Sequence, residues 1–165
     1  MARILKPLVI DAGQVRQLGA GETLDAVVSA KEVVTIASAS GVTLNAGDVV
    51  YIDSAGKLNL ASGGATASKY PIGFVRGQTD GTTSNIAAGS QVEVQTDGIF
   101  ELSNWSNVLG SATLSPGTKY YLSSTAAGNI TATAPTTANH FIVPVGRAIN
   151  NTNMYIEVGE PIKLA

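Results

Sequence analysis

Leu44-Asn45-Ala46-Gly47-Asp48-Val49-Val50-Tyr51-Ile52 returns at an offset of 70 as Leu114-Ser115-Pro116-Gly117-Thr118-Lys119-Tyr120-Tyr121-Leu122. Leu, Gly and Tyr coincide, and Ile52 meets Leu122. With small insertions Gly56 then meets Gly128, Leu58 meets Ile130, and Ile72-Gly73 meets Val145-Gly146. A partial third copy of the turn-then-strand phrase is Ala87-Ala88-Gly89-Ser90-Gln91-Val92-Glu93-Val94. The unit reads as a Gly turn, a strand, a Gly hairpin, a short strand, a loop and a strand around Gly. Glycine at such turns supplies positive φ without steric cost. Two such units, at about 44–75 and 114–148, stacked face to face would close one core. Duplication and shared hairpin chemistry both account for the likeness, and both give the same architecture.

The remaining chain follows the same pattern. Short alternating or β-branched runs recur every roughly 8–12 residues between Gly, Asn, Asp and Pro, which is the all-β signature. Glu32-Val33-Val34-Thr35-Ile36, Ile72-Gly73-Phe74-Val75, Gly98-Ile99-Phe100-Glu101-Leu102, Phe141-Ile142-Val143-Pro144-Val145 and Met154-Tyr155-Ile156-Glu157-Val158 are such runs. Branched and aromatic side chains fit a pleated, half-buried surface. The expected fold is an antiparallel β-barrel or sandwich, with an extended N-terminal arm or first strand over residues 1–25 and one β domain over 26–165. Residues 22–31 offer the one helical spacing, with Leu24, Val27, Val28 and Lys31 on one face. The segment is short and β-branched, and so short a helix is marginal alone.

Composition narrows function. The 165 residues are 44% hydrophobic but only 13% charged, with 18 glycines. Such a chain is too apolar for wholesale disorder. Its net charge is −2, without a Lys/Arg cluster, so it lacks the basic patch that nucleic acid binding needs. Without cysteine there is no thiol chemistry, disulfide framework or zinc-thiolate site. The first ten residues carry charges inside their apolar run and do not read as an export signal. No apolar run approaches the ~20 residues of a membrane span.

Residues with catalytic potential are few. His140 is the single histidine, at a loop-to-strand junction with no carboxylate close in sequence. Asp48, Asp53 and Asp80 miss calcium-loop spacing and read as turn caps. Gly19-Ala20-Gly21 lacks the Lys-Ser/Thr and third Gly of a phosphate loop, and no Gly-x-Ser-x-Gly elbow occurs. The expectation is a non-enzyme with no cofactor and no metal. Trp105, in Leu102-Ser103-Asn104-Trp105-Ser106-Asn107, sits among loop-type residues. It is a candidate to stack on a sugar or a neighbouring subunit, or else to anchor its own loop. Ile4, Leu5, Pro7, Leu8, Val9 and Ile10 form an apolar extended stretch. It reads either as an inter-subunit arm or as the first strand of the domain, since an exposed apolar strand is a liability until paired.

Pro7-Leu8-Val9-Ile10-Asp11-Ala12-Gly13-Gln14-Val15-Arg16-Gln17-Leu18, followed by Gly21-Glu22-Thr23-Leu24-Asp25, resembles the start of small virion proteins of tailed bacteriophages. Ala46-Gly47-Asp48-Val49-Val50-Tyr51-Ile52-Asp53, Pro71-Ile72-Gly73-Phe74-Val75 and Gly146-Arg147-Ala148 resemble the β-rich modules of capsid cement (decoration) proteins and head fibres. The similar stretches span most of the chain, but they are turn-and-strand phrases, not catalytic signatures. The resemblance implies a non-enzymatic β protein, commonly a homotrimer, made in the host cytoplasm and seated on the outer capsid of the virion. There it would clamp neighbouring major capsid proteins. The rival reading is a tail-associated or fibre module that binds host glycan or other tail proteins, with Trp105 as its chief support. A polysaccharide-degrading enzyme would need a facing carboxylate pair, which nothing in the sequence singles out.

Overall fold

The computed structural model describes residues 32–65 and 70–165 in full, and Leu8–Asp11 and Gln14–Gln17 as backbone strands. The strands are β1 (Leu8–Asp11), β2 (Gln14–Gln17), β3 (Val33–Ala37), β4 (Val49–Ile52), β5 (Leu58–Leu60), β6 (Gly73–Gln78), β7 (Gln91–Gln95) and β8 (Ile99–Glu101). One helical turn, α1 (Ser106–Leu109), precedes β9 (Lys119–Leu122), β10 (Ile130–Thr131), β11 (Phe141–Ile142), β12 (Pro144–Ala148), β13 (Asn153–Ile156) and β14 (Ile162–Lys163). The fold is all-β and antiparallel, as the alternating runs predict.

Two five-stranded sheets carry it, ordered β5-β4-β6-β7-β3 and β10-β9-β12-β13-β8. These are the same topology. Their registers also correspond residue for residue where the sequence likeness runs. Val50 faces Gly73 in the first sheet, and Tyr120 faces Gly146 in the second. Tyr51 faces Asn59, and Tyr121 faces Thr131. The correspondence extends to strands the sequence comparison did not pair. Val94 lies between Val75 and Val34, as Met154 lies between Ala148 and Phe100. The turns match too: the Gly47 N–H donates to Val75 O at 2.8 Å, and the Gly117 N–H to Ala148 O at 2.8 Å. Both glycines have positive φ, +94° and +77°, which the turn demands and a Cβ disfavours. The partial copy at residues 87–94 is thus not a third unit. It is the lead into β7, which completes the first sheet as β13 completes the second.

The sheets stack as a sandwich and neither closes into a barrel. A single parallel bridge, Ser38 to Leu58, brings the edges of the first sheet together at one point. The second sheet turns Phe100, Tyr120, Leu122 and Met154 inward, and the first sheet packs Val49, Ala61 and Phe74 into the same core. The opposite face of the first sheet carries Val50, Leu58, Val75, Val92 and Val94, which pack with Leu44 and Ile86 into a second core. Both faces of the first sheet therefore carry buried core residues. Backbone hydrogen bonds knit the halves: Val49 N to Gly128 O at 2.9 Å, Gly128 N to Ala61 O at 2.7 Å, and Gly63 N to Ser123 O at 2.9 Å.

The matched glycines Gly73 and Gly146 serve close packing. A Cβ on Gly73 would collide with the Gln95 carbonyl oxygen and lie 2.8 Å from its carbon. On Gly146 it would meet the carbonyl of Tyr155 and the Met154 side chain. Because the obstacle at Gly73 is backbone, only separation of β6 from β7 relieves it. Gly73→Ala is expected to cost about 1–3 kcal/mol, in the overpacking range. An unchanged urea midpoint for that variant would contradict the geometry.

The candidate helix at 22–31 lies outside the described residues, as do Ile4, Leu5 and Pro7. Leu8, Val9 and Ile10 form β1, which pairs with β2 from Leu8 opposite Gln17 to Asp11 opposite Gln14. This two-stranded pair is hydrogen-bonded into neither five-stranded sheet. The reading of residues 8–10 as the domain's first strand is not realised among the described residues.

Candidate interaction surface

Trp105 is fully buried. It follows β8 at the start of α1, where its carbonyl accepts the Val108 and Leu109 N–H groups at 3.1 and 2.9 Å. Its indole Nε1–H donates to Thr152 O at 3.1 Å. The ring stands edge-on to Phe74 and Phe100, with centroids 6.3 and 5.8 Å away. Trp105 therefore has no surface to offer a sugar or a partner. It anchors its loop because the first sheet supplies an aromatic neighbour that no local signal in the sequence reveals.

The aspartates divide into two kinds. Asp53 Oδ1 accepts the Ala55 and Lys57 N–H groups at 2.9 and 3.0 Å. Asp80 Oδ1 accepts the Thr82 N–H at 2.9 Å, while its Oδ2 accepts from Gln78 Nε2 at 2.7 Å. Led by the Lys57 and Thr82 N–H groups respectively, these bonds hold both carboxyls below their usual range. Both are turn caps, as their surroundings in sequence suggest. Asp48 differs: it is 6% exposed at the junction of the two sheets, with Oδ2 accepting the Asn45 N–H at 2.7 Å. Burial pushes its carboxyl up to about 6 against the opposing pull of that bond.

His140 is half-buried, and its Nδ1 has no hydrogen-bond partner. Its backbone joins the C-terminal segment, accepting the Leu164 N–H at 2.9 Å. Among the described residues no three His, Asp or Glu side chains group as metal ligands would. A shallow cleft of about 600 Å³ lies between Ser38, Ala39, Asp53, Lys57, Asn59 and Gly89. Its one carboxylate is already committed to the Asp53 turn.

The outer face of the second sheet presents a different surface. One row crosses four strands: Ile99 opposite Tyr155, Tyr155 opposite Arg147, and Arg147 opposite Lys119. Tyr155 is 48% exposed and Arg147 is also exposed, its guanidinium reaching Gly117 O at 2.9 Å. Tyr121 is half-buried on the same face. The equivalent row of the first sheet is Val33, Gln95, Phe74 and Val49. There Val49 and Phe74 are wholly buried, and Gln95 spends its side-chain amide on the carbonyls of Asp97 and Ile99 at 2.9 and 3.0 Å.

None of these row residues of the second sheet stood out in the sequence. The available signal was the contrast between matched positions, Val49 against Lys119 and Phe74 against Arg147. Searches against family models and against curated proteins find no match for the chain.

Proposed function

We propose that this chain is a non-enzymatic structural protein of a tailed-bacteriophage virion. It binds the outer capsid surface, stabilises contacts between major capsid proteins and associates with its own kind. The observation that carries this reading is the β1–β2 strand pair, which lies outside both sheets of the domain. An isolated two-stranded hairpin is at best marginally stable in water, so partner contacts are what would hold it. The apolar Leu8-Val9-Ile10 and the resemblance of residues 7–25 to phage virion proteins support the same assignment. The adhesion reading loses its chief support with the burial of Trp105.

The decisive measurement is copy number in purified particles, by quantitative mass spectrometry against the major capsid protein. Abundance comparable with the capsid protein supports the cement role, and a handful of copies points to the tail. Absence from particles overturns the virion reading. Deletion of residues 1–10 is expected to abolish attachment to capsids while leaving the thermal midpoint of the purified chain nearly unchanged, since no strand of either sheet is removed. Full occupancy after the deletion would reject the arm.

A further inference from the structure

One four-residue phrase occurs twice, as Gln78-Thr79-Asp80-Gly81 and as Gln95-Thr96-Asp97-Gly98. Each begins on the last residue of a strand, β6 and β7 respectively. An Asp-Gly step is open to attack by the backbone on its own side chain, because glycine sets no Cβ beside the amide nitrogen. The fold gives the two copies opposite arrangements.

At the first copy both reacting groups are engaged elsewhere. The Gly81 N–H donates to Gln78 O at 2.9 Å. The Asp80 carboxylate accepts the Thr82 N–H on Oδ1 and Gln78 Nε2 on Oδ2, at 2.9 and 2.7 Å. Led by the Thr82 N–H, these bonds hold the carboxyl below its usual range, away from the protonated form whose hydroxyl can leave as water. At the second copy Gln95 is buried and turns its amide to the backbone, donating to Asp97 O and Ile99 O at 2.9 and 3.0 Å. The Gly98 N–H has no backbone acceptor among the described residues and points instead at Asp97 Oδ1, 2.6 Å away. No other described group hydrogen-bonds that carboxyl. Asp97 is exposed, so water reaches it. The backbone is held on both sides, with the Thr96 N–H on Glu32 O and the Ile156 N–H on Gly98 O, each at 2.9 Å. Nitrogen and carboxyl are thus kept together, and such proximity converts into rate.

We propose that Asp97-Gly98 is a modification site, at which the folded protein converts aspartate to isoaspartate while Asp80-Gly81 is spared. The Gly98 nitrogen bonds to Cγ of the protonated Asp97 carboxyl. The Cγ–OH bond breaks, and the hydroxyl leaves as water with the proton from nitrogen. One water then opens the five-membered imide. Cleavage of the nitrogen–Cγ bond restores aspartate, whereas cleavage at the backbone carbonyl carbon leaves the chain running through Cβ and Cγ. Water is lost and regained, so composition and mass are unchanged. Residues 96–98 carry the chain from the first sheet to the second. An extra backbone carbon there displaces the carbonyls that Gln95 holds, so the isomerised form is expected to melt below the unreacted protein.

The test ages the purified chain for weeks in mildly acidic buffer, folded and, in parallel, unfolded in urea. Cleavage after Arg76, Glu93 and Glu101 places the two aspartates in separate peptides. The aspartate and isoaspartate forms of each peptide are resolved by liquid chromatography and told apart by electron-transfer fragmentation. In the folded protein, isoaspartate is expected to accumulate at Asp97 on the order of tenfold or more faster than at Asp80. In urea the rates at the two identical phrases are expected to converge. Equal rates in the folded protein, or faster reaction at Asp80, would overturn the proposal. So would a gap that survives in urea, because flanking sequence and not the fold would then set it. A separated isoaspartate form that melts with the unreacted protein would overturn the effect on the crossover between sheets. The readout is independent of the virion assignment, which particle copy number decides.

Discussion

Phe74→Ala is expected to destabilise the fold by about 3–5 kcal/mol, the range for removing a fully buried aromatic side chain. Phe74 has no exposed surface and projects from β6 into the second sheet's core, 5.2 Å from Phe100 and 6.3 Å from Trp105 between ring centroids. Truncation removes the apolar contact area and leaves a cavity walled by two rings that their own strands hold in place. Aromatic pair geometry adds about 0.5–1.5 kcal/mol per contact beyond area. The informative control is Arg147→Ala, at the same strand position in the second sheet. Its side chain is exposed, so under dilute conditions the loss should stay below about 1 kcal/mol. Urea unfolding of both variants reads the difference directly. Equal losses would mean that the two sheets do not depend on each other as their shared core implies.

The second large effect is a pH dependence centred on Asp48. In the unfolded chain its carboxyl titrates near 3.8, and in the folded protein burial moves it to about 6. Between those values the folded state holds a proton that the unfolded state has released. Stability contributed by the protonated carboxyl is therefore complete below the unfolded value and is lost as pH rises through the folded one. A difference of about two pH units corresponds to about 3 kcal/mol. Asp48→Asn cannot ionise, yet keeps an oxygen to accept the Asn45 N–H. It is expected to gain up to about 3 kcal/mol over the wild type at neutral pH and to match it near pH 4. Asp53 and Asp80, whose carboxyls are held low, act in the opposite sense. Their contributions are present above the unfolded value and are lost as pH falls through their own folded values, so they leave the Asp48 window clear. Unfolding free energies of wild type and variant that stay parallel from about pH 4 to neutrality, a range that includes the rise through about 6, would reject this account.

Much of the local structure was legible because its causes are local. Lys119-Tyr120-Tyr121-Leu122 matches β9 in full and Gln91-Val92-Glu93-Val94 falls within β7, since period-two alternation is a property of the strand itself. The paired glycines at 47 and 117 and at 73 and 146 were visible as a repeat before their reasons were. One reason is a positive φ, and the other is the approach of a neighbouring backbone. The repeat was underestimated, however. Val33-Val34-Thr35 and Ile99-Phe100-Glu101 hold the same place in their sheets while sharing no residue, because β3 and β8 are matched by pairing alone.

The tryptophan shows where reading from sequence stops. Its neighbours Ser103, Asn104, Ser106 and Asn107 are those of an exposed loop, and all four are indeed exposed beside a ring that is not. Trp105 packs against Phe100 of its neighbouring strand β8, but also against Phe74, thirty-one positions away in sequence and on the other sheet, a contact no local reading reveals.

By itself, the sequence determined most of the strands, many of the turns that join them, the antiparallel all-β class and the equivalence of two segments seventy residues apart. Backbone sterics and side-chain alternation act within a few residues and need no partner. Only the tertiary structure decided which faces are buried. Val49-Val50 and Phe74-Val75 are apolar on both sides because the first sheet lies between two cores, whereas Lys119-Tyr120 and Arg147-Ala148 alternate because the second sheet is covered on one side. Stacking removes water from a surface only when both surfaces meet. The same strand position is therefore core at Phe74 and open face at Arg147.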